Sequence, residues 1–338
     1  ISSFGSGNAV QSFTVADQFR QDLGVPTWIT GLVLASLVAL VILGGIKRIG
    51  RVTSKLVPFM AALYVGTARI VLLLNITEVP STLLLIVTSA FKPAAQIGGF
   101  AGGTFIFMLT WGVKRGLFSN ESGQGSAPIA HAAAKTDEPI REGVVAMIGP
   151  FIDTLTICTL TGLVIDSTGV WQKKLEVTHP FNEQSQLTIV KESCTIGLDA
   201  KAARACAMAP GAKLAVAEGR IAGARIIGNH CFIDSAVLQR AGAEAAPFTG
   251  SVVLHGKGPR FFDAAGKPSD VQLHGRALQN GGPLTAWAFD VGLSAIFPFG
   301  RHLVAICVLL FALSTAIGWS YYGGRGTHYL LRQRALLP

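Results

Sequence analysis

The sequence predicts an all-α polytopic membrane protein interrupted by a small β-rich extramembrane insert. Half of its 338 residues are hydrophobic and only 14% are charged, which lies outside the usual soluble range. Uncharged apolar runs long enough to cross hydrocarbon recur, and several end in lysine or arginine, as residues 25–46 do at Lys47, Arg48 and Arg51. From Trp171 to Gln279 this pattern stops, and charges, histidines and turn residues return.

Residues 1–8 are small, apolar and glycine-containing, and charges begin only at Asp17, Arg20 and Asp22. They read as the outer half of a spanning helix in an internal fragment. Residues 25–46 and 52–76 read as spans. Arg69 in the second is costly at depth unless it snorkels to an interface. Residues 78–91, bounded by Pro80 and Pro93, are too short to cross and read as an interfacial helix. Residues 93–113 form an uncharged span that Gly98, Gly99, Gly102, Gly103 and Gly112 interrupt. Clustered glycines permit close helix packing, and Gly112 near the end marks a candidate unwinding where backbone groups line a polar cavity.

A polar loop over 119–141 leads to a span at 143–165 with Asp153 near its middle. An ionisable residue there is a functional or helix-pairing candidate. Short runs at 186–190, 213–217, 224–227, 251–255 and 271–274 are strand-like and bounded by glycine and proline. Residues 283–300 read as a second interfacial helix and 302–323 as the last span. The domain organisation that follows is a transmembrane part at 1–170, the insert at 171–282, and a continuation at 283–338. If Lys47 is cytoplasmic, Lys114, Arg115, Lys135, Arg141, Arg325, Arg332 and Arg334 share its side. That satisfies the positive-inside rule and puts the insert on the external face.

The formal charge of +9 raises nucleic acid as a partner. The bases punctuate the ends of apolar segments instead of clustering with aromatics, so that class is excluded. Cys158 and Cys307 lie in apolar spans and read as small core residues, while Cys194, Cys206 and Cys231 fall in the polar region. Zinc-type spacing is absent, and the sequence does not choose a disulfide pair.

The run from Gly116-Leu117-Phe118-Ser119-Asn120-Glu121 through Ser126-Ala127-Pro128 and Ala130-His131-Ala132-Ala133-Ala134-Lys135-Thr136 resembles the sodium:alanine symporter (amino acid carrier) family of the amino acid-polyamine-cation superfamily. The resemblance continues through Glu142-Gly143, Gly149-Pro150-Phe151-Ile152-Asp153-Thr154, Ser314-Thr315-Ala316 and Trp319-Ser320-Tyr321-Tyr322-Gly323. It implies a LeuT-like five-plus-five inverted repeat, of which this chain supplies helices three to eight. The implied function is sodium-coupled symport of alanine, or of a similar small amino acid such as glycine or serine, across the cytoplasmic membrane by alternating access. Sodium is then the coupling ion, the lipid bilayer the surroundings, and no cofactor or enzymatic step is involved.

The resemblance also implies roles. The run Gly7, Asn8, Val10 and Gln11 faces the substrate, with Asn8 and Gln11 as contacts. Trp111, Gly112 and Val113 form the unwound stretch of helix six. Ser314 and Thr315 are ion ligands, and Thr315 and Trp319 line the substrate pocket. Asn120, Glu121 and Asp153 belong to a gate or loop network. Two positions depart from the family: Gly324 stands where an acidic residue is common, and Arg69 where an apolar one is expected.

The residues alone leave other readings open. Thr315, Trp319 and Tyr322 share one helical face by their spacing. Hydroxyls such as Ser314 and Thr315 often bond back to their own helix, and Asn8 and Gln11 suit a solvated helix end. Trp111 suits an interfacial aromatic belt. Glu121, His131 and Asp153 suggest an acid–base set for an intramembrane enzyme, and the insert suggests a scaffold that binds a partner without transport.

Overall fold

The computed structural model describes residues 3–91, 113, 125–181, 187–192, 208–209, 211–228, 231–241, 246–255, 258–279 and 281–331. The chain divides into two compact units, one of Ile1–Leu85, Gly112–Val170 and Gly281–Pro338, the other of Ile86–Trp111 and Trp171–Asn280.

The first unit is helical. A π-helix at Ser3–Ala9 runs directly into α1 (Val10–Leu23), so Asp17 and Arg20 lie on the helix, paired at 3.0 Å. The helix stops at Gly24, where φ is +66°; the Gly24 amide donates back to the Arg20 carbonyl and the Val25 amide to the Phe19 carbonyl. Glycine takes this left-handed turn without a Cβ clash.

The apolar run over 25–46 does not form one span. Helix α2 (Thr27–Ile42) has 16 residues, about 24 Å of rise against a hydrocarbon thickness of about 30 Å. A turn at Leu43–Gly44 and a φ of +68° at Gly45 break it. Lys47, Arg48 and Arg51 consequently fall inside the first turns of α3 (Gly45–Leu74). Met60, Tyr64, Thr67, Ala68 and Val71 are the buried stripe of α3, spaced as one helical face. Arg69 is exposed.

The short apolar α4 (Val79–Phe91) belongs to this unit as far as Leu85, and α5 (Ala127–His131) comes next. Helix α6 (Pro139–Pro150), a π-helix at Phe151–Cys158 and α7 (Thr159–Ser167) form one continuous run of 29 residues. Helix α8 (Gly281–Leu293) and the long α9 (Gly300–Leu331) complete the unit. Among the described residues three helices are long and apolar enough to cross a membrane: Lys47–Leu74, Pro139–Ser167 and Gly300–Leu330.

Their shared core joins Tyr64, Ala68 and Val71 to Val164, Phe289, Leu293, Val304 and Cys307. The Tyr64 ring sits 5.5 Å from Phe289 and 5.7 Å from Phe311, and its hydroxyl is 2.6 Å from the Thr161 hydroxyl, tying α3 to α7. Cys307 is buried as expected, but Cys158 is exposed. The apolar residues around Cys158 turn outward too, with Phe151, Ile152 and Leu155 all exposed. An apolar run in such a chain is therefore not equivalent to a buried one.

The second unit carries β1 (Lys174–Pro180), β2 (Thr188–Lys191), β3 (Lys213–Ala217), β4 (Arg220–Ile221), β5 (Ala224–Gly228), β6 (Cys231–Phe232), β7 (Asp234–Arg240), β8 (Gly250–His255), β9 (Gly258–Asp263) and β10 (Val271–Leu278). They form three antiparallel sheets, in the orders β1-β10-β7, β2-β5-β6 and β4-β3-β8-β9. Inward residues pair across strands: Leu238 opposes Leu273, and Val252 opposes Phe261. Phe181 and Phe248 pack against Phe261 at 5.3 and 5.9 Å. The β3–β4 hairpin turns through Glu218 and Gly219, both at positive φ, as a two-residue loop requires. Gly219 also admits the Leu238 backbone, whose amide donates to the Gly219 carbonyl at 2.7 Å.

Leu238 is fully buried, so Leu238→Ala is expected to destabilise this unit by about 2–5 kcal/mol. Hydrogen exchange checks this: amide protection at Leu238 and Phe248 should fall. Undiminished protection would mean that this core does not hold the sheets together.

Candidate functional site

Helix α9 gathers the polar residues of the first unit, because it packs against the Ser3–Ala9 π-helix, α1, α2, α3 and α8. Its tightest approach is at Gly7. A Cβ there would overlap the Trp319 ring, so the indole lies directly against the backbone and is only 6% exposed. The ring meets Tyr322 edge-on at 5.5 Å.

One residue further, Asn8 lines a cavity of about 190 Å³. Ser12 adjoins it from α1, Gly31, Leu34, Ala35 and Val38 from α2, and Ala312, Ala316 and Ser320 from α9. The spacing explains the wall. Asn8 and Ser12, Gly31 and Ala35, and Ala312, Ala316 and Ser320 each recur every fourth residue, so each set occupies one helical face. Small residues on two of those faces leave the space open.

The Ser320 hydroxyl donates to the Ala316 carbonyl at 2.7 Å. Asn8 Oδ1 is buried and has no hydrogen-bond partner among the described residues. Thr30 and Ser126 also carry buried hydroxyl oxygens without a bond, but of these only Asn8 is on the cavity wall. Both this residue and Asp153 lie on π-helical stretches. Such stretches are rare and recur at functional positions.

The residues expected to form a site fall in several places. Asn8 faces the cavity, and Trp319 lies beside it against Gly7. Gln11 and Thr315 are half-buried and are not part of the cavity wall. The Ser314 hydroxyl donates to the Phe311 carbonyl at 2.9 Å and lies 3.7 Å from Met60 Sδ, so its proton is committed to its own helix. Val113 is helical and 51% exposed. Trp111, Gly112, Asn120 and Glu121 lie outside the described residues.

His131 Nδ1 is 2.6 Å from Glu142 Oε1, which ties α5 to the start of α6. Asp153 is eleven residues beyond Glu142 on the same continuous run, roughly 15 Å along the axis. His131 and Asp153 are therefore not assembled as an acid–base pair. Among the described residues no group of three or more His, Cys, Asp or Glu side chains could hold a metal ion.

Ser12, Gly31, Ala35 and Ser320 are wall residues that the sequence reading did not single out. Their signal was present in the fourfold repetition of small residues, Ala312, Ala316 and Ser320 above all.

Three helices long and apolar enough to cross a membrane among the described residues define an integral membrane protein of the polytopic helical class. The family model described as the sodium:alanine symporter family matches residues 1–198 and 270–338, most of the chain, and the chain belongs to that family. It is 47% identical over 171 residues to an uncharacterized transporter of Haemophilus influenzae, covering 51% of this chain and 38% of that protein. It is 48% identical over 170 residues to the sodium/alanine symporter AgcS of Methanococcus maripaludis, covering 50% and 37%. It is 42% identical over 158 residues to the probable sodium/glutamine symporter GlnT of Bacillus subtilis, covering 47% and 32%. The matched region thus spans less than two fifths of the length of these curated relatives. The family is one of transporters, not enzymes.

The Gly7–Trp319 contact is testable by a double-mutant cycle. Gly7→Ala should destabilise the helical unit by about 1–3 kcal/mol through overpacking, and Trp319→Leu in the same chain should recover part of that loss. Thermal unfolding of the four proteins measures it, and strictly additive losses would mean that the ring does not press on Gly7.

Proposed function

We propose that this chain belongs to a sodium-coupled symporter for a small neutral amino acid, alanine being the leading substrate and glycine or serine its nearest alternatives. The observation that carries the reading is the 48% identity with a protein named a sodium/alanine symporter. The name of the Bacillus subtilis relative, a glutamine symporter, leaves room for a different side chain in the pocket. Transport follows alternating access on a LeuT-like inverted repeat in the cytoplasmic membrane. The strands between Lys174 and Leu278 lie on the external face.

In this reading the substrate zwitterion needs donors for its carboxylate and acceptors for its ammonium, both near the membrane midplane. The family resemblance assigns this role to backbone groups freed at Trp111 and Gly112, which would supply them without burying a new charge, whereas Val113 is helical. Gln11 adds a side-chain amide, Trp319 a wall that limits side-chain size, and Thr315 a hard oxygen for sodium or substrate. Asn120, Glu121 and Asp153 serve the gate. The bond between His131 and Glu142 anchors α5 to the helix that follows. Sodium and substrate favour the same conformation, so each raises the affinity of the other by the same factor.

The test is uptake of labelled alanine into proteoliposomes by the intact protein. Accumulation should require a sodium gradient and fail when potassium replaces sodium, with a proton gradient tested separately. Thr315→Val and Gln11→Ala should each raise the half-saturating alanine or sodium concentration about tenfold, equivalent to about 1.4 kcal/mol. Unchanged values in both would overturn the residue assignments, and absence of uptake under any gradient would overturn symport. Removal of residues 171–279 should leave alanine binding intact, whereas loss of all ligand binding would favour a scaffold or receptor.

A further inference from the structure

We propose that the cavity among α1, α2 and α9 is a cation site built of neutral oxygens, separate from Ser314 and Thr315, and that sodium is the ion it takes. The chemistry of the wall selects the class of ligand. Asn8 Oδ1 is an acceptor only, it is buried, and no group among the described residues donates to it. Ser320 has already given its proton to the Ala316 carbonyl, so it presents lone pairs to the cavity. Ser12 adds a third side-chain oxygen.

The remainder of the wall is apolar, with Gly31, Ala35 and Ala316 contributing no side-chain donor or charge. An anion would find no positive charge there. A divalent ion would lack the carboxylates that normally hold it. A hard monovalent cation is matched by neutral oxygens, and a cavity of about 190 Å³ lets it keep several waters. An ion held between Asn8 and Ser320 would bind the π-to-α junction of the first helix to α9. It would thereby favour the conformation in which α1, α2 and α9 are packed together. The inference rests on the symport reading only for the choice of sodium among monovalent ions.

The experiment measures the thermal unfolding midpoint of the intact purified protein against sodium chloride, with choline chloride holding ionic strength constant and potassium chloride as the comparison ion. The parent should be stabilised by sodium more than by potassium. Asn8→Ala and Ser320→Ala should raise the sodium concentration giving half the effect by at least tenfold, and Ala35→Leu, which fills the cavity, should have the same consequence. If Asn8→Ala fails to fold, Ser320→Ala and Ala35→Leu carry the test. A parent without a sodium response, or variants whose sodium curves superpose on the parent's, would overturn the proposal.

Alanine uptake measured on the same proteins separates the two readings. Sodium-driven uptake with superposable sodium curves discards the cavity site and leaves symport standing. A cavity-dependent sodium response without uptake under any gradient discards symport and leaves the site.

Discussion

Trp319 can lie on the first helix only because Gly7 has no Cβ, and much of the helical unit follows from that approach. The contact fixes the π-helical start of the chain against α9. Once that register is set, Asn8 and Ser12 must face the stripe of Ala312, Ala316 and Ser320, because each set repeats every fourth residue. Helix α2 then meets both through Leu34, which joins Val15 and Ala312 in a small apolar cluster. The cavity is what remains where glycine, alanine and serine replace larger side chains along these faces. A single close backbone approach therefore produces both the packing and the polar opening beside it.

The long apolar helices were legible because composition alone distinguishes them, and α3, the Pro139–Ser167 run and α9 all lie over apolar runs in the sequence. Their breaks were less legible. The run at 25–46 is uniformly apolar, and the turn at Gly44–Gly45 depends on a backbone angle that a pair of glycines permits but does not demand. The π-helical stretch at Phe151–Cys158 has the same composition as an α-helix and left no signal. Strand runs at 213–217 and 251–255 coincide with β3 and β8, whereas β7 and β9 carry charge and small residues that hide their alternation. In the site, Trp319 was conspicuous by its size. Ser320 was not, because a serine beside a tryptophan attracts no notice until the helix is seen to turn it toward Asn8. The pairing of His131 with Glu142 crosses a loop and was invisible for the same reason.

The β-rich unit interrupts the family pattern, since the family model skips residues 199–269, where β3 through β9 lie. Its own topology brings its two ends together. The entering strand β1 pairs with the departing strand β10, with Lys174 opposite Leu278, so the chain leaves the sheet beside the point where it entered. Neighbouring ends are what allow one domain to be inserted into another. The unit also closes its own core on Leu238, Leu273, Val252 and Phe261. It thus has an apolar interior of its own.

Within the helices, hydroxyl groups have a ready solution to burial, and the structure uses it repeatedly. Thr14, Ser36, Thr53, Thr67, Thr161, Ser320 and Thr327 each donate to the carbonyl four residues earlier. An amide can do half as much. Asn75 gives its Nδ2 proton to the Val71 carbonyl, but the oxygen of an asparagine needs a donor, and a helix has none to spare once its own N–H groups are bonded. A buried amide oxygen on a helix is therefore left over by the geometry of the helix itself. Small apolar residues opposite it create room without supplying a partner, as Gly31, Ala35 and Ala316 do around Asn8. The partner such an oxygen takes is a donor or a cation, and at Asn8 none of the described residues supplies one.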